Sequence, residues 1–407
     1  MSTYFSAEFF AGNRTRLKDF VQDNTPIILT ANGLLQQSTD STYPFKQDGN
    51  FWYLSGINEP DITLVIDSNN EYLILPEQSE YQRYFNGAID SSKLSKISGI
   101  KKVLLQKEGE NLLNSLPKKS KKVATLTPSP SYVKEMGFYT NPSRQALISR
   151  ILDTNDKCEL LDLRKQFGQL RMVKQLPEIE AIQSAIDVTI KTLQSLKKKI
   201  NSYGFEYQAD ADIAHGFRSN GADGAAFDSI VAGGANACIV HYMDNNDTLH
   251  KDDLLLFDVG AEACGYAADI SRTYSRGTAS KRQKQVHAAV CEVQDYAYSL
   301  LKPGVLLREY EKQVREFMGI KLQELSLIDN LDPAEIRKYY PHSTSHFLGF
   351  DVHDVGDYDR PLEPGVVITV EPGIYIPEEG IGVRIEDDIL ITKSGNINLS
   401  RKLSRNL

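Results

Sequence analysis

The sequence predicts an α/β protein of two domains, with strands and helices mixed in the first domain and a β-rich end to the second. Three observations lead to this prediction. The chain has 407 residues, more than one ordinary hydrophobic core accommodates. Apolar runs of strand length recur along it, and segments with helical spacing lie between them. All seven histidines lie beyond residue 200, so the chemistry is expected in the second domain.

The first domain is predicted to span residues 1–169. Strands are expected where short apolar runs stand beside turn-forming residues, at residues 62–66, 72–75, 103–105 and 123–126. Helices are expected at residues 108–116 and 143–152. Residues from about 156 to 202 are mostly helical in pattern, and Pro177 followed by Glu178 marks a helix start within them. We place the domain boundary just before this start, near Leu170.

The second domain, residues 170–407, is predicted to combine long helices with several strands. The helices are expected at residues 280–302 and 307–324. The strands are expected at residues 229–231, 237–242, 254–259, 266–274, 366–370 and 383–392.

Composition and charge exclude several classes of partner. The net charge of −8 comes from 46 basic and 54 acidic residues and argues against nucleic acid. No run of about 18 apolar residues predicts a membrane span, and the N-terminus lacks the apolar core of a secretory signal. The four cysteines are far apart in the sequence and form no CxxC pair, which favours reduced thiols in a cytoplasmic protein. They are Cys158, Cys238, Cys264 and Cys291.

Two carboxylates close apolar runs in the second domain. Asp258 follows four apolar residues, and Glu371 follows residues 368–370. A charge at the edge of a core is costly unless it is neutralised. Asp269 lies on the return from Asp258 after a glycine-containing turn, so a hairpin would bring the two carboxylates face to face. The alternative is a solvated hairpin with two exposed acids.

A third acidic segment has the alternation of a strand. In VRIEDDI, which covers residues 383–389, Arg384, Glu386 and Asp388 are expected to share one face. Arg384 and Glu386 would then point into one cavity. The alternative is a surface ion pair, which is common and weak.

Four histidines fall near these acids: His241, His342, His346 and His353. His342 and His346 have i, i+4 spacing, which fits one face of a helix, but Pro341 and Gly349 fit an irregular segment equally well. The other three histidines are interpreted as structural or surface residues: His215, His250 and His287.

One imidazole and four carboxylates suit a pair of divalent cations. The five residues are Asp258, Asp269, His346, Glu371 and Glu386. An excess of oxygen ligands favours manganese, magnesium, cobalt or zinc, and the absence of a thiolate argues against a structural zinc site. Two such ions ionise a shared water, which is the basis of metal-assisted hydrolysis.

These motifs resemble those of the aminopeptidase P and prolidase group of dinuclear metallopeptidases, whose catalytic domain has the pita-bread (creatinase/aminopeptidase-like) fold. The resemblance spans nearly the whole chain. In the second domain it rests on NGADGAAFDSIVAGGANACIVHY, FDVGAEACGYAADISRTY, HSTSHFLGFDVHDVG, VEPGIYI and GVRIEDDIL, in that order. In the first domain PFKQDGNFWYLSGINEPD resembles the non-catalytic domain that precedes the catalytic one in aminopeptidase P.

The resemblance implies a role for each site residue. Asp269 and Glu386 would bridge two metals, most often manganese, while Asp258 completes one metal and His346 with Glu371 the other. The remaining site residues would contact the substrate or support catalysis: His241, His342, His353, Tyr375 and Arg384. Glu371 would serve as general acid–base. Ser343 departs from the family, which often has glycine at this position, and this puts the local loop conformation in question.

The implied function is that of a cytoplasmic Xaa-Pro aminopeptidase, which releases an N-terminal residue that precedes proline. A prolidase, which cleaves only Xaa-Pro dipeptides, is the alternative, because the motifs barely separate the two. A non-catalytic binding protein on the same fold is disfavoured because all five metal ligands are present. The resemblance also suggests a homodimer or homotetramer, with contacts made by the N-terminal domain.

Overall fold

The computed structural model describes residues 5–21, 24–127, 133 and 135–407. The chain divides into two compact units, Met1–Leu170 and Arg171–Leu407, and both mix helices with strands. The predicted α/β class is therefore confirmed. No helix in the described ranges combines the length and apolar character needed to cross a lipid bilayer.

The first unit is built on a six-stranded mixed sheet with the strand order β4-β3-β2-β1-β5-β6. The strands are β1 (Ile27–Thr30), β2 (Thr63–Ile66), β3 (Glu71–Ile74), β4 (Lys102–Leu104), β5 (Lys122–Thr125) and β6 (Glu159–Asp162). The helices are α1 (Ala7–Phe20), α2 (Gly49–Ser55), α3 (Glu80–Asn86), α4 (Ser91–Ser98), α5 (Gln106–Lys119), α6 (Ser143–Thr154) and α7 (Arg164–Met172). The core lies on both faces of the sheet, because alternate residues of the central strands enter separate apolar clusters.

Most of the predicted elements of this unit are confirmed within a few residues. The stretch predicted as mostly helical from residue 156 is wrong at its start, because Glu159–Asp162 forms β6 and pairs in parallel with β5. This strand is at the edge of the sheet and has no long apolar run, so its pairing partner rather than its own sequence determines it.

The second unit contains four small antiparallel sheets, of order β11-β10-β7, β12-β9-β8, β13-β16-β17 and β14-β15. Its first strands are β7 (Gly224–Ala225), β8 (Ile230–Gly233), β9 (Leu254–Val259), β10 (Ala261–Ala263), β11 (Tyr266–Ala267) and β12 (Ile270–Ser275). The later strands are β13 (Val367–Val370), β14 (Gly373–Ile376), β15 (Ile381–Arg384), β16 (Asp387–Thr392) and β17 (Gly395–Asn398).

The helices of this unit are α8 (Leu176–Lys199), α9 (Glu206–Ser219), α10 (Lys281–Leu300), α11 (Leu307–Glu324) and α12 (Pro333–Tyr339). Pro177 lies in the first turn of α8, as predicted, where its missing N–H costs no helical hydrogen bond. α10 begins with a capping box between Ser280 and Gln283. The apolar faces of α10 and α11 pack with β13 to β16 in one large core.

Three predicted strands of this unit require correction. Residues 237–242 form no strand, because a 3₁₀ helix (Gly234–Cys238) is followed by a turn. The strand predicted at residues 266–274 is two strands, β11 and β12, interrupted at residues 268–269. The strand predicted at residues 383–392 is also two, β15 and β16, interrupted at residues 385–386. Both interruptions contain or adjoin a candidate metal ligand.

Candidate metal centre

Three of the predicted ligands converge on one point. One ligand atom from each of Asp269, His346 and Glu386 lies within 4.8 Å of the other two. Asp269 and Glu386 are only 5% and 2% exposed. His346 Nε2 lies 3.4 Å from Asp269 Oδ2 and 3.3 Å from Glu371 Oε1, which brings a fourth predicted ligand to the same place.

Strand ends place these side chains. Asp258 is the penultimate residue of β9, Asp269 directly precedes β12, and Glu371 directly follows β13. Glu386 lies in the break between β15 and β16, where its backbone N–H donates to Ser271 O at 3.1 Å. The prediction that acids at the ends of apolar runs form one site is consistent with this geometry.

The predicted face-to-face pairing of Asp258 with Asp269 is wrong in register. Asp258 lies opposite Ser271 in the β9–β12 ladder, and Asp269 precedes the paired residues. The charge of Asp258 nevertheless acts on Asp269, whose pKa is raised well above its usual range by burial first and then by Asp258. Ser271 lies opposite Asp258, and its hydroxyl bonds to Glu386, a different candidate ligand.

Hydrogen bonds orient Glu386 within the site. The hydroxyl of Ser271 donates to Glu386 Oε2 at 2.7 Å and accepts from Arg384 Nε at 2.9 Å. Asp388 accepts the backbone N–H of Asp269 at 3.2 Å. Arg384, Glu386 and Asp388 therefore all face this site, as the predicted alternation requires, although the strand itself is interrupted between them.

A hydrogen bond also selects the tautomer of His346. Its Nδ1 lies 3.0 Å from the carbonyl oxygen of Phe347, which can only accept, so Nδ1 carries the proton. Nε2 then presents a lone pair toward Asp269 and Glu371. Histidine ligands are commonly oriented in this way by a bond from the other ring nitrogen.

The acidic groups of the site are not neutralised by the protein alone. Burial first, and then neighbouring carboxylates, raise the pKa of Asp269 and of Glu386 well above the usual range. Burial raises the pKa of Glu371 to about 7. Asp258 Oδ1 is buried and has no hydrogen-bond partner among the residues that the structure describes. This donor set, with one guanidinium against four carboxylates, fits divalent cations.

Arg384 organises one side of the site. It is 2% exposed and donates from Nη2 to Asp258 Oδ2 at 2.6 Å and from Nη1 to the hydroxyl of Tyr375 at 2.8 Å. His342 Nδ1 lies 2.8 Å from the carbonyl oxygen of Ser343, so it carries the proton and Nε2 accepts from Tyr375 at 2.8 Å. The result is a chain of hydrogen bonds in which Arg384 donates to Tyr375 and Tyr375 donates to a neutral His342.

The pKa values of His342 and His353 are both lowered, first by burial and in part by the same neighbour, His241. Burial lowers the pKa of His342 to about 4, and the charges of Arg384 and His241 act in the same direction. Burial lowers the pKa of His353 to about 4 as well, assisted by His346 and His241. The rings of His346 and His353 are 4.3 Å apart. His241 and His353 each keep part of the side chain at the surface, although neighbouring groups crowd His353, so both are accessible to a bound peptide.

The segment from His342 to His346 is irregular, which decides between the two predicted alternatives. Residue 343 does not have a positive φ, so serine at this position introduces no backbone strain. Glu311 on α11 accepts the backbone N–H groups of Thr344 and Ser345, each at 2.9 Å. Sequence reasoning did not identify Glu311 or Ser271, because neither stands in a pattern of its own.

Comparison with known proteins agrees with this geometry. The sequence model of metallopeptidase family M24 matches residues 180–393, and that of the aminopeptidase P N-terminal domain matches residues 10–125. The chain therefore belongs to metallopeptidase family M24. The resemblance seen in the motifs, and the order of the two domain types, are confirmed.

Individual relatives match over nearly the full length. The chain is 34% identical to the Xaa-Pro aminopeptidase of Haemophilus influenzae, over 96% of this chain and 93% of that protein. It is 31% identical to the Xaa-Pro aminopeptidase of Escherichia coli, over 97% of this chain and 95% of that protein. The solved structure of Escherichia coli aminopeptidase P in its low-pH form gives a TM-score of 0.88 at 29% identity, covering 98% and 96% of the two chains.

Proposed function

We propose that this protein is a dinuclear metal-dependent aminopeptidase that hydrolyses the peptide bond between an N-terminal residue and a following proline. The observation that carries the proposal is the convergence of Asp269, His346 and Glu386, whose ligand atoms lie within 4.8 Å of one another. The full-length similarity to Xaa-Pro aminopeptidases supports the choice of substrate.

We assign the roles of the metal ligands as the family resemblance implies. These five residues would hold two divalent cations: Asp269 and Glu386 would be shared between them, Asp258 would serve one, and His346 with Glu371 the other. The cluster of raised carboxyl pKa values supports this assignment, because cations supply the missing positive charge. Two divalent cations held there would supply Lewis acidity for the attack of water on the scissile carbonyl.

The protein groups handle the proton and the substrate. Glu371 takes the proton from the attacking water and passes it to the departing proline nitrogen. Its Oε1 accepts from the hydroxyl of Thr369 at 3.2 Å, which leaves Oε2 for this transfer. His353 is neutral near pH 7, since its pKa is about 4, and can donate a hydrogen bond to the substrate carbonyl together with His241.

Proline recognition is assigned to the His342 side of the site. A proline ring has no N–H and a fixed φ, so its pocket needs shape rather than a hydrogen-bond acceptor. Only 2% of Tyr375 is exposed, so we expect it to act mainly by fixing His342 through its hydroxyl group. Arg384 holds that hydroxyl and Asp258, and so connects the proline pocket to the metal ligands.

Manganese is the proposed physiological metal. The oxygen-rich ligand set supports a hard or borderline cation but does not by itself select manganese over zinc or cobalt. The test is to remove metal with a chelator and reload the protein with Mn²⁺, Zn²⁺ or Co²⁺. Elemental analysis should give two ions per chain, and activity should return in parallel with them.

Peptide length separates the proposal from the prolidase alternative. Steady-state rates on Ala-Pro-Ala and Ala-Pro should be compared with the same metal loading. An aminopeptidase cleaves both or prefers the longer peptide, whereas activity confined to the dipeptide would establish a prolidase.

Three further assignments complete the proposal. Residues 1–169 form an aminopeptidase P-type N-terminal domain and residues 170–407 the catalytic domain, which is supported by the division after Leu170. A homodimer or homotetramer is supported by exposed aromatic side chains on α3, and light scattering of the purified protein tests it. These are Tyr81, Tyr84 and Phe85, which are 71%, 85% and 63% exposed. A cytoplasmic location is supported by the four cysteines, none of which forms a disulfide.

A further inference from the structure

A buried carboxylate holds the segment that carries His241. Glu206 is the first residue of α9 and has no exposed surface. Four donors fill its two oxygens, and all four come from residues 233–247, on both sides of His241. They are the backbone N–H of Gly233 (2.8 Å) and the amide of Asn236 (3.1 Å) on Oε1, and the hydroxyl of Tyr242 (2.8 Å) and the backbone N–H of Asp247 (2.8 Å) on Oε2.

This arrangement satisfies the carboxylate completely. An ionised carboxylate only accepts hydrogen bonds and offers about four lone-pair positions, all of which are used here. Buried charges are tolerated when they are paired or hydrogen-bonded in this way. The donors are separated from Glu206 by 27 to 41 residues in sequence, so the contacts join distant parts of the chain.

Two other contacts fix the same segment. The side chain of Asn245 accepts the backbone N–H of Val231 at 2.9 Å and donates to Ser229 O at 2.8 Å. A Cβ added at Gly382 would lie 2.2 Å from the carbonyl oxygen of Ala237, so the 3₁₀ helix packs directly on β15. The segment is thus held between α9 and the strand that ends in Arg384.

His241 depends on this backbone for its position. Its side chain is exposed, and its charge contributes, after burial, to the lowered pKa of both His342 and His353. The segment that carries it has no regular strand structure and packs on β15, whose last residue is Arg384, one of the residues of the cleft. Tyr242, its immediate neighbour, contacts Glu206 directly.

We propose that Glu206 is a positioning residue, which sets the backbone of residues 233–247 so that the His241 side chain reaches the substrate. The inference rests on the proposed function, which gives His241 a contact with the substrate. It explains how the backbone that carries His241 is held for that contact. Among the described residues, the side-chain hydrogen bonds of Glu206 all come from residues 233–247 and none comes from a proposed metal ligand.

Glu206→Gln tests this role with little change in shape. In glutamine, an NH2 group that can only donate replaces one of the two accepting oxygens. This group would face donors from residues 233–247, so at least one hydrogen bond is lost. We expect kcat/KM on Ala-Pro-Ala to fall about 10- to 100-fold, as for other groups that orient an active-site residue. Metal content should stay at two ions per chain. In a His241→Ala background the same substitution should lower kcat/KM less than about threefold, since coupled residues are non-additive.

Asp212→Asn is the matched control. Asp212 lies on the same helix and also accepts from a tyrosine hydroxyl, that of Tyr203 at 2.7 Å. Its other side-chain hydrogen bond among the described residues comes from Lys199 at 2.9 Å, outside residues 233–247. Its variant should keep the wild-type kcat/KM. If Glu206→Gln does not fold, Tyr242→Phe removes a single donor to Glu206 and should give a smaller loss that also disappears in the His241→Ala background.

Two results would overturn the inference. One is a wild-type kcat/KM in Glu206→Gln or, where that variant does not fold, in Tyr242→Phe. The other is an equal fold-loss with and without His241, which would assign Glu206 a general structural role. In both cases proline-specific activity of the unmodified enzyme would leave the proposed function intact. An inactive, metal-loaded wild-type enzyme would instead overturn the proposed function and this inference together.

Discussion

Replacing Arg384 by methionine removes the guanidinium group from the site and tests what it contributes to stability. The side chain is buried and donates from Nε to Ser271, from Nη1 to Tyr375 and from Nη2 to Asp258, at 2.9, 2.8 and 2.6 Å. Methionine fills much of the same volume but removes all three donors and the positive charge. Asp258, whose side chain is 13% exposed, would then lack its cationic partner within the protein.

The magnitude follows from burial. Removing one partner of a buried ion pair costs about 3–5 kcal/mol, because the remaining charge is uncompensated. At about 2–4 °C per kcal/mol for a unit of this size, we expect the Tm of the metal-free protein to fall by about 6–20 °C. Divalent cations bound near Asp258 compensate the same charge. The fall in Tm should therefore be less than half as large in the metal-loaded protein.

Scanning calorimetry of wild type and Arg384→Met, each with chelator and with excess Mn²⁺, measures both values. Arg282→Met is the control, because Arg282 pairs with Glu379 on the surface and is 31% exposed. That pair should contribute at most about 1 kcal/mol. An equal loss of Tm with and without metal would show that Asp258 does not face the cations. A loss no larger than that of the control would refute the reasoning from burial.

Three further predictions concern the metals, the histidines and pH. Asp269→Asn and Glu386→Gln should each lose most activity and lower the bound metal below two ions per chain; full metal content with a near-normal rate in either variant would contradict bridging roles. His353→Ala and His241→Ala should keep both metals but slow turnover about 10- to 100-fold, and loss of metal would instead make them ligands. Without metal, the Tm should fall as the pH is raised from 4.5 to about 7. Burial raises the pKa of Glu371 from 4.5 to about 7, so over this range the folded state holds a proton that the unfolded state has lost. Excess Mn²⁺ should remove this dependence of Tm on pH. A metal-free Tm that rises with pH over this range would contradict the raised pKa of Glu371.

Substrate choice gives the last prediction. Replacing proline by alanine in the second position of the peptide should lower kcat/KM at least about 100-fold, or roughly 2.7 kcal/mol of transition-state binding. Rates on Ala-Pro-Ala and Ala-Ala-Ala at saturating Mn²⁺ measure the ratio. Equal rates would indicate a broad-specificity aminopeptidase on the same fold.

Local patterns in the sequence were enough to place two of the candidate ligands at strand ends. Asp258 and Glu371 could be assigned to strand ends because apolar runs of strand length precede them, and those runs form β9 and β13. The two long helices were equally readable, since their apolar spacing is local and continuous. Arg384, Glu386 and Asp388 face one site as the alternation predicted, although the strand predicted through them is interrupted at residues 385–386.

Only the tertiary structure decided how these pieces meet. The register that places Asp258 opposite Ser271 is set by how the two strands pair. A shift of one residue would turn every side chain of β12 to the opposite face of the sheet. The breaks at residues 268–269 and 385–386 arise where the backbone bonds to other segments, as Glu386 N does to Ser271 O. Glu206 and Glu311 could not be recognised because their partners lie 27 or more residues away, and a carboxylate that accepts distant backbone N–H groups leaves no periodic signal in its own sequence.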